Sequence, residues 1–80
     1  MDLDSIKPDQ ILDAKGLSCP MPLLRTKKAI NSIASGQILE VLGTDPGSKN
    51  DLPSWCERSG HNCLGAKDDV GFFHIFIKKG

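Results

Sequence analysis

The chain has 80 residues, 39% of them hydrophobic, with ten basic and ten acidic residues that cancel. That is enough for one domain with a modest core and leaves no room for a second. A balanced charge offers no general attraction for nucleic acid or an anionic membrane, and no segment approaches the roughly 20 apolar residues of a membrane span. The start Met1-Asp2-Leu3-Asp4 lacks a basic or apolar stretch, so a cytoplasmic location is expected. Cysteines at 19, 56 and 63 are an odd number, a poor basis for a disulfide framework and better suited to a reducing compartment.

Residues 1–9 are polar and contain Pro8, and read as a flexible leader to a single domain over 10–80. Ile11 to Ala14 is a short apolar run that stops at Gly16, which predicts a first strand. Between Pro20 and Ala34, the residues Leu23, Thr26, Ile30, Ile33 and Ala34 recur at helical spacing, with Arg25, Lys28 and Ser32 turned away and Gly36 as the stop. Ile38 to Leu42 predicts a second strand, and Gly43-Thr44-Asp45-Pro46-Gly47 predicts a turn. A short second helix is expected from an Asp51 cap, with Pro53 in its first turn and Leu52, Trp55 and Cys56 on one face up to Gly60. His61 to Lys67, with Leu64 and Ala66 inward, and Phe72 to Lys79 then form a hairpin about Asp68-Asp69-Val70-Gly71.

The order β-α-β-α-β-β predicts a two-layer α/β (α+β) sandwich. Both helices lie on one face of a mixed four-stranded sheet, and a right-handed crossover makes the first two strands parallel. The other sheet face stays open, with Ile11, Ile38, Leu42, Phe72 and Phe76 around Glu40, His74 and Lys78.

Gly16-Leu17-Ser18-Cys19-Pro20-Met21-Pro22 occupies the passage from first strand to first helix. Prolines are tolerated in a first helical turn, whose amide hydrogens have no intrahelical partner, and Pro20 disfavours helical angles at Cys19. Cys19 is therefore expected just outside a helix N-terminus, whose partial positive charge favours a thiolate. Arg25, Lys27 and Lys28 lie one to two turns further on, where they reinforce that field or meet an acidic partner. Spacing alone leaves a second reading open, in which Cys19 is a small apolar filler.

The stretch Leu12-Asp13-Ala14-Lys15-Gly16-Leu17-Ser18-Cys19-Pro20-Met21-Pro22-Leu23 resembles the signature of the TusA/SirA sulfur-carrier family, with its Cys-Pro-x-Pro core. Gly36, Thr44-Asp45-Pro46, Asp51-Leu52-Pro53, Gly60-His61 and Ile77-Lys78-Lys79-Gly80 extend the likeness over residues 10–80. The resemblance implies a persulfide on Cys19, with Gly16, Pro20 and Pro22 supporting it. It also implies a persulfide donor such as a cysteine desulfurase or rhodanese-like protein, and an acceptor protein. No cofactor or metal is implied. Ser18 departs from members with a basic residue before the cysteine, which bears on donor preference. Family pathways include transfer RNA thiolation, molybdenum cofactor supply and sulfur oxidation, and the sequence does not choose among them. Two other readings keep the fold: a non-covalent module docking through the open sheet face, and a redox or selenium-handling relative.

Cys56, His61 and Cys63 lack a Cys-x-x-Cys hook and an evident fourth ligand, which argues against a zinc site. Cys56 shares its face with Leu52 and Trp55 and is read as core packing in preference to a resolving thiol, though it is the best second-thiol candidate. His61 and His74 are read as surface histidines without a catalytic role. Aromatics on the open face without a basic surround argue against direct nucleic-acid binding.

Overall fold

The computed structural model describes residues 6–18 and 20–80. The elements are β1 (Gln10–Ala14), α1 (Met21–Ile30), β2 (Ile38–Gly43), α2 (Pro46–Ser59), β3 (Asn62–Asp68) and β4 (Phe73–Lys78). The sheet order is β1-β2-β4-β3. β1 pairs parallel with β2, while β4 pairs antiparallel with both β2 and β3. This is the expected β-α-β-α-β-β sandwich with a mixed sheet.

The core follows from strand alternation. Leu39, Val41, Ile75 and Ile77 are fully buried, and Ile30, Leu52 and Cys56 pack into the same cluster from the helices. Residues two apart on a strand share a face, so the alternate positions Ile38, Glu40, Leu42, His74 and Phe76 belong to the other face. Ile11 there is 56% exposed, but Phe76 is only 4% exposed. The face without helices therefore buries one aromatic among its own side chains.

α1 ends at Ile30, four residues before the expected Ala34. The Ser32 hydroxyl and amide both donate to Ala29 O, at 2.6 and 3.0 Å, which turns the chain out of the helix. Ile33 still reaches the core at 8% exposure. Gly36, at φ +87°, then redirects the chain into β2.

The larger difference is at α2, which starts at Pro46 and not after Asp51. Asp45 is the N-cap, its carboxylate accepting from the Ser48 amide at 3.2 Å and hydroxyl at 3.0 Å. Pro46 takes a position where a missing amide hydrogen costs little. Pro53 consequently lies inside the helix, where it cannot donate back to Lys49 O. Leu52, Trp55 and Cys56 do share the buried face. Gly60, left-handed at φ 80°, closes the helix by donating to Cys56 O.

β3 carries a register irregularity between Cys63 and Gly65. An extra residue in one strand breaks simple alternation. As a result Cys63, not Leu64, packs against the core, and Ala66 is exposed although it pairs with Ile75.

Candidate functional site

The segment from Lys15 to Pro22 leaves the carboxyl end of β1, at the end of the sheet where β2 runs into α2. Leu17 N–H donates to Ala14 O at 3.2 Å, and Gly16, at φ 82°, supplies the left-handed residue of that turn. Lys15 N–H donates to Asp13 Oδ1 at 3.0 Å, and Gly16 N–H donates to Thr44 Oγ1 at 2.9 Å. The Lys15 ammonium lies 4.8 Å from the centre of the Phe72 ring. The turn is thus tied to the β2–α2 corner on one side and to the start of β4 on the other.

Met21 N–H donates to Ser18 O at 2.9 Å, and Leu24 N–H donates to Pro20 O at 3.1 Å. Pro20 is the N-cap of α1, without a side-chain cap, and Pro22 is buried in the first turn. Thr26 Oγ1 donates to Pro22 O at 2.7 Å, satisfying a buried hydroxyl. The first turn carries no acidic residue, while Lys27 and Lys28 occupy the last. The first turn of α1 thus supplies no carboxylate of its own to neutralise the positive helix end. Cys19 itself lies outside the described residues.

Arg25, Lys27 and Lys28 are all exposed. Residues three and four apart share a helix face, so Arg25 and Lys28 form a stripe with Met21 and Leu24, which are 38% and 50% exposed. Sequence reasoning missed these two apolar residues. Their signal was their place in the gaps between the inward positions of α1.

A cleft of about 320 Å³ opens beside the turn, lined by Thr44, Pro46, Lys49, Asp69, Phe72 and Phe73 among others. Lys49 pairs with Asp68 across it. Next to it His74 stands between two carboxylates, with Nε2 3.0 Å from Asp69 Oδ2 and Nδ1 3.5 Å from Glu40 Oε1. The His74 side chain is 19% exposed, so it is not the open surface residue expected. Its hydrogen bond is the main reason the Asp69 carboxyl is held below its ordinary range, with the Val70 amide adding to the effect.

The remaining sequence candidates lie elsewhere. Cys56 is fully buried. Burial pushes its thiol up to about 12, with a smaller contribution from Cys63. Burial raises Cys63 as well. Neither is a ready thiolate, because desolvation disfavours the charged form. His61 accepts from Gly80 N–H at 3.0 Å through Nδ1 and packs its ring against Trp55. Among the described residues no group of three or more His, Cys, Asp or Glu side chains is arranged to hold a metal. Among the same residues no helix is long and apolar enough to cross a membrane.

A β-α-β-α-β-β sandwich with Cys-Pro-Met-Pro in sequence at the entry to its first helix defines a small two-layer α/β domain with a cysteine motif at a strand-to-helix passage. Residues 10–79 match the family model described as Sulfurtransferase TusA, and the chain belongs to that family. It is 53% identical over 75 residues to the putative sulfur carrier protein YrkI of Bacillus subtilis, covering 94% of this chain and 100% of that one. The sulfur carrier protein TusA of Allochromatium vinosum is 48% identical over 71 residues, covering 89% and 93%. The crystal structure of a SirA-like protein from Desulfitobacterium hafniense superposes with a TM-score of 0.77 at 28% identity, covering 89% of this chain and 97% of that one.

Proposed function

We propose that this chain is a sulfur carrier that accepts sulfane sulfur as a persulfide on Cys19 and passes it to a partner protein. The observation that carries the reading is the entry to α1. Cys19 directly precedes the Pro20 N-cap of a helix whose first turn has no acidic side chain, within a chain whose family relatives are named as sulfur carriers. A helix N-terminus favours a thiolate over a thiol.

The Cys19 thiolate attacks the outer sulfur of a donor persulfide, R–S–SH. The R–S to S bond breaks, the donor leaves as R–S⁻, and Cys19 becomes Cys19–S–SH. An acceptor thiolate then attacks that outer sulfur, and Cys19 departs as thiolate. Both displacements conserve the sulfur oxidation level, so no external oxidant, reductant, metal or organic cofactor is required. Gly16, Pro20 and Pro22 shape the turn that presents Cys19. Arg25, Lys27 and Lys28 offer a basic surface to an acidic patch on the donor, a desulfurase or rhodanese-like protein, or on the acceptor. The chain acts as a relay component and not as a stand-alone enzyme. A reducing compartment such as the cytoplasm suits it, since Cys56 and Cys63 are free and persulfide exchange needs reduced thiols.

Mass spectrometry after incubation with a cysteine desulfurase and cysteine tests the reading, with Cys19→Ser and Cys56→Ser alongside. The expected result is a gain of one sulfur on the Cys19 peptide, retained in Cys56→Ser and lost in Cys19→Ser. An accessible Cys19 that stays unmodified by several donors overturns it.

A further inference from the structure

The chain reaches Cys19 through a turn whose Gly16 amide is not satisfied by its own neighbourhood. Its hydrogen-bond partner is the hydroxyl of Thr44, 28 residues away and just beyond the end of β2. Within the turn, Leu17 bonds back to Ala14, Lys15 to Asp13, and Met21 to Ser18. The bonds to Ala14 and Asp13 tie the turn to its own strand β1, and none of the three reaches β2. Thr44 supplies a second reference point. It also belongs to the wall of the cleft of about 320 Å³ that Pro46, Lys49, Phe72 and Phe73 help to line.

We infer that Thr44 is a positioning residue for sulfur transfer, its hydroxyl oxygen holding the Gly16 amide and so setting where the Cys19 turn stands against the β2–α2 corner. This deepens the sulfur-carrier reading and rests on it. Thr44 and Gly16 are both exposed, so water replaces the bond when it is lost, and global stability depends little on it. The geometry of the turn depends on it more. In-line displacement at sulfur is sensitive to such placement, because reacting atoms must be held in a near-attack arrangement. Gly16 keeps its left-handed backbone in any Thr44 variant, so such variants change the mooring without changing the turn's own chemistry.

The test compares wild type with Thr44→Val, Thr44→Ala and Thr44→Ser in the full chain. Three quantities are read: the rate of sulfur loading from a desulfurase plus cysteine, the pH profile of iodoacetamide alkylation at Cys19, and the melting temperature. Loss of one hydrogen bond corresponds to about a fivefold effect. Thr44→Val and Thr44→Ala are expected to slow loading by about that factor and to displace the alkylation profile, with melting close to wild type. Thr44→Ser is expected to restore both. Equal loading rates with superimposable alkylation profiles overturn the positioning role and leave the carrier reading intact. Slow loading that tracks a matching fall in melting temperature, without rescue by serine, also overturns it by making the role structural. A wild type that takes up no sulfur sinks the carrier reading instead, and positioning of the turn is then decided by the alkylation profiles alone.

Discussion

Replacing Gly43 by alanine should destabilise the sheet by a clash that can be traced to one ring. An alanine Cβ built at this position falls 2.7 and 2.9 Å from two carbons of Phe73, its antiparallel partner across β2 and β4. Contacts that short require movement, and Phe73 is only 6% exposed and packed in the helix-facing core. Overpacking of this kind costs about 1–3 kcal/mol. In a domain this small each kcal/mol lowers the melting temperature by about 4–8 °C. Urea and thermal unfolding followed by circular dichroism measure the cost for Gly43→Ala, Phe73→Leu and the double variant. Phe73→Leu alone should also destabilise, by leaving space. In the double variant the smaller side chain makes room for the added methyl, so the combined loss should fall short of the sum by about 1 kcal/mol or more. Strict additivity, or a neutral Gly43→Ala, would refute the argument that ring proximity is what requires glycine here.

Asp45→Ala should lower stability by about 1 kcal/mol through loss of the α2 cap, with Asp45→Asn milder, as read by urea midpoint at unchanged slope. Cys56 should resist alkylation in the native chain at pH 8 and react only on unfolding. Its folded value near 12 against an ordinary 9.0 makes its contribution to stability fully present below about pH 9 and lost progressively as pH rises toward 12, which alkaline unfolding of wild type and Cys56→Ala would resolve. Asp69 is lowered from 3.8 chiefly by His74. Its contribution should be present above that value and disappear as pH falls through the folded-state value, and an NMR titration of Asp69 in His74→Gln should show the carboxyl moving back up.

Strand alternation and helical spacing are enough to find the four strands and two helices and to mark Thr26, Ile30, Ile33, Leu52, Trp55, Cys56 and Phe73 as buried, because those patterns report directly on which side chains leave water. The failures have local causes. The start of α2 was legible after all, since an aspartate followed by proline is a cap followed by a first helical position. The run Gly43 to Gly47 nevertheless reads as a turn because glycine and proline dominate it. Pro53, which suits a first turn, then points to a second, later start, whereas it lies inside α2. Leu64 and Ala66 were misplaced because a bulge leaves no mark in composition. At the candidate site the sequence identifies the Cys-Pro-Met-Pro segment and its helix, but not what the segment leans on. Thr44 and Phe72 lie 28 and 57 residues further along the chain from Gly16 and Lys15, and contacts at that separation follow from strand order and register, which a local pattern does not contain.

Strand order also explains why the turn stands where it does. Among the described residues β1 is an edge strand, paired with β2 alone, so its carboxyl end can feed a turn that projects past the sheet without crowding a second neighbour. The parallel crossover then brings that end beside the end of β2, and the antiparallel return of β4 brings Phe72 to the same end of the sheet. The fully buried side chains of β2 and β4, Leu39, Val41, Ile75 and Ile77, occupy the two central strands. Core packing and the presentation of the Cys-Pro-Met-Pro segment are thereby carried by different parts of the sheet. Substitutions at Thr44 or Lys15 can alter the placement of the turn while the centre of the sheet holds the fold, whereas a change at Gly43 reaches the core first.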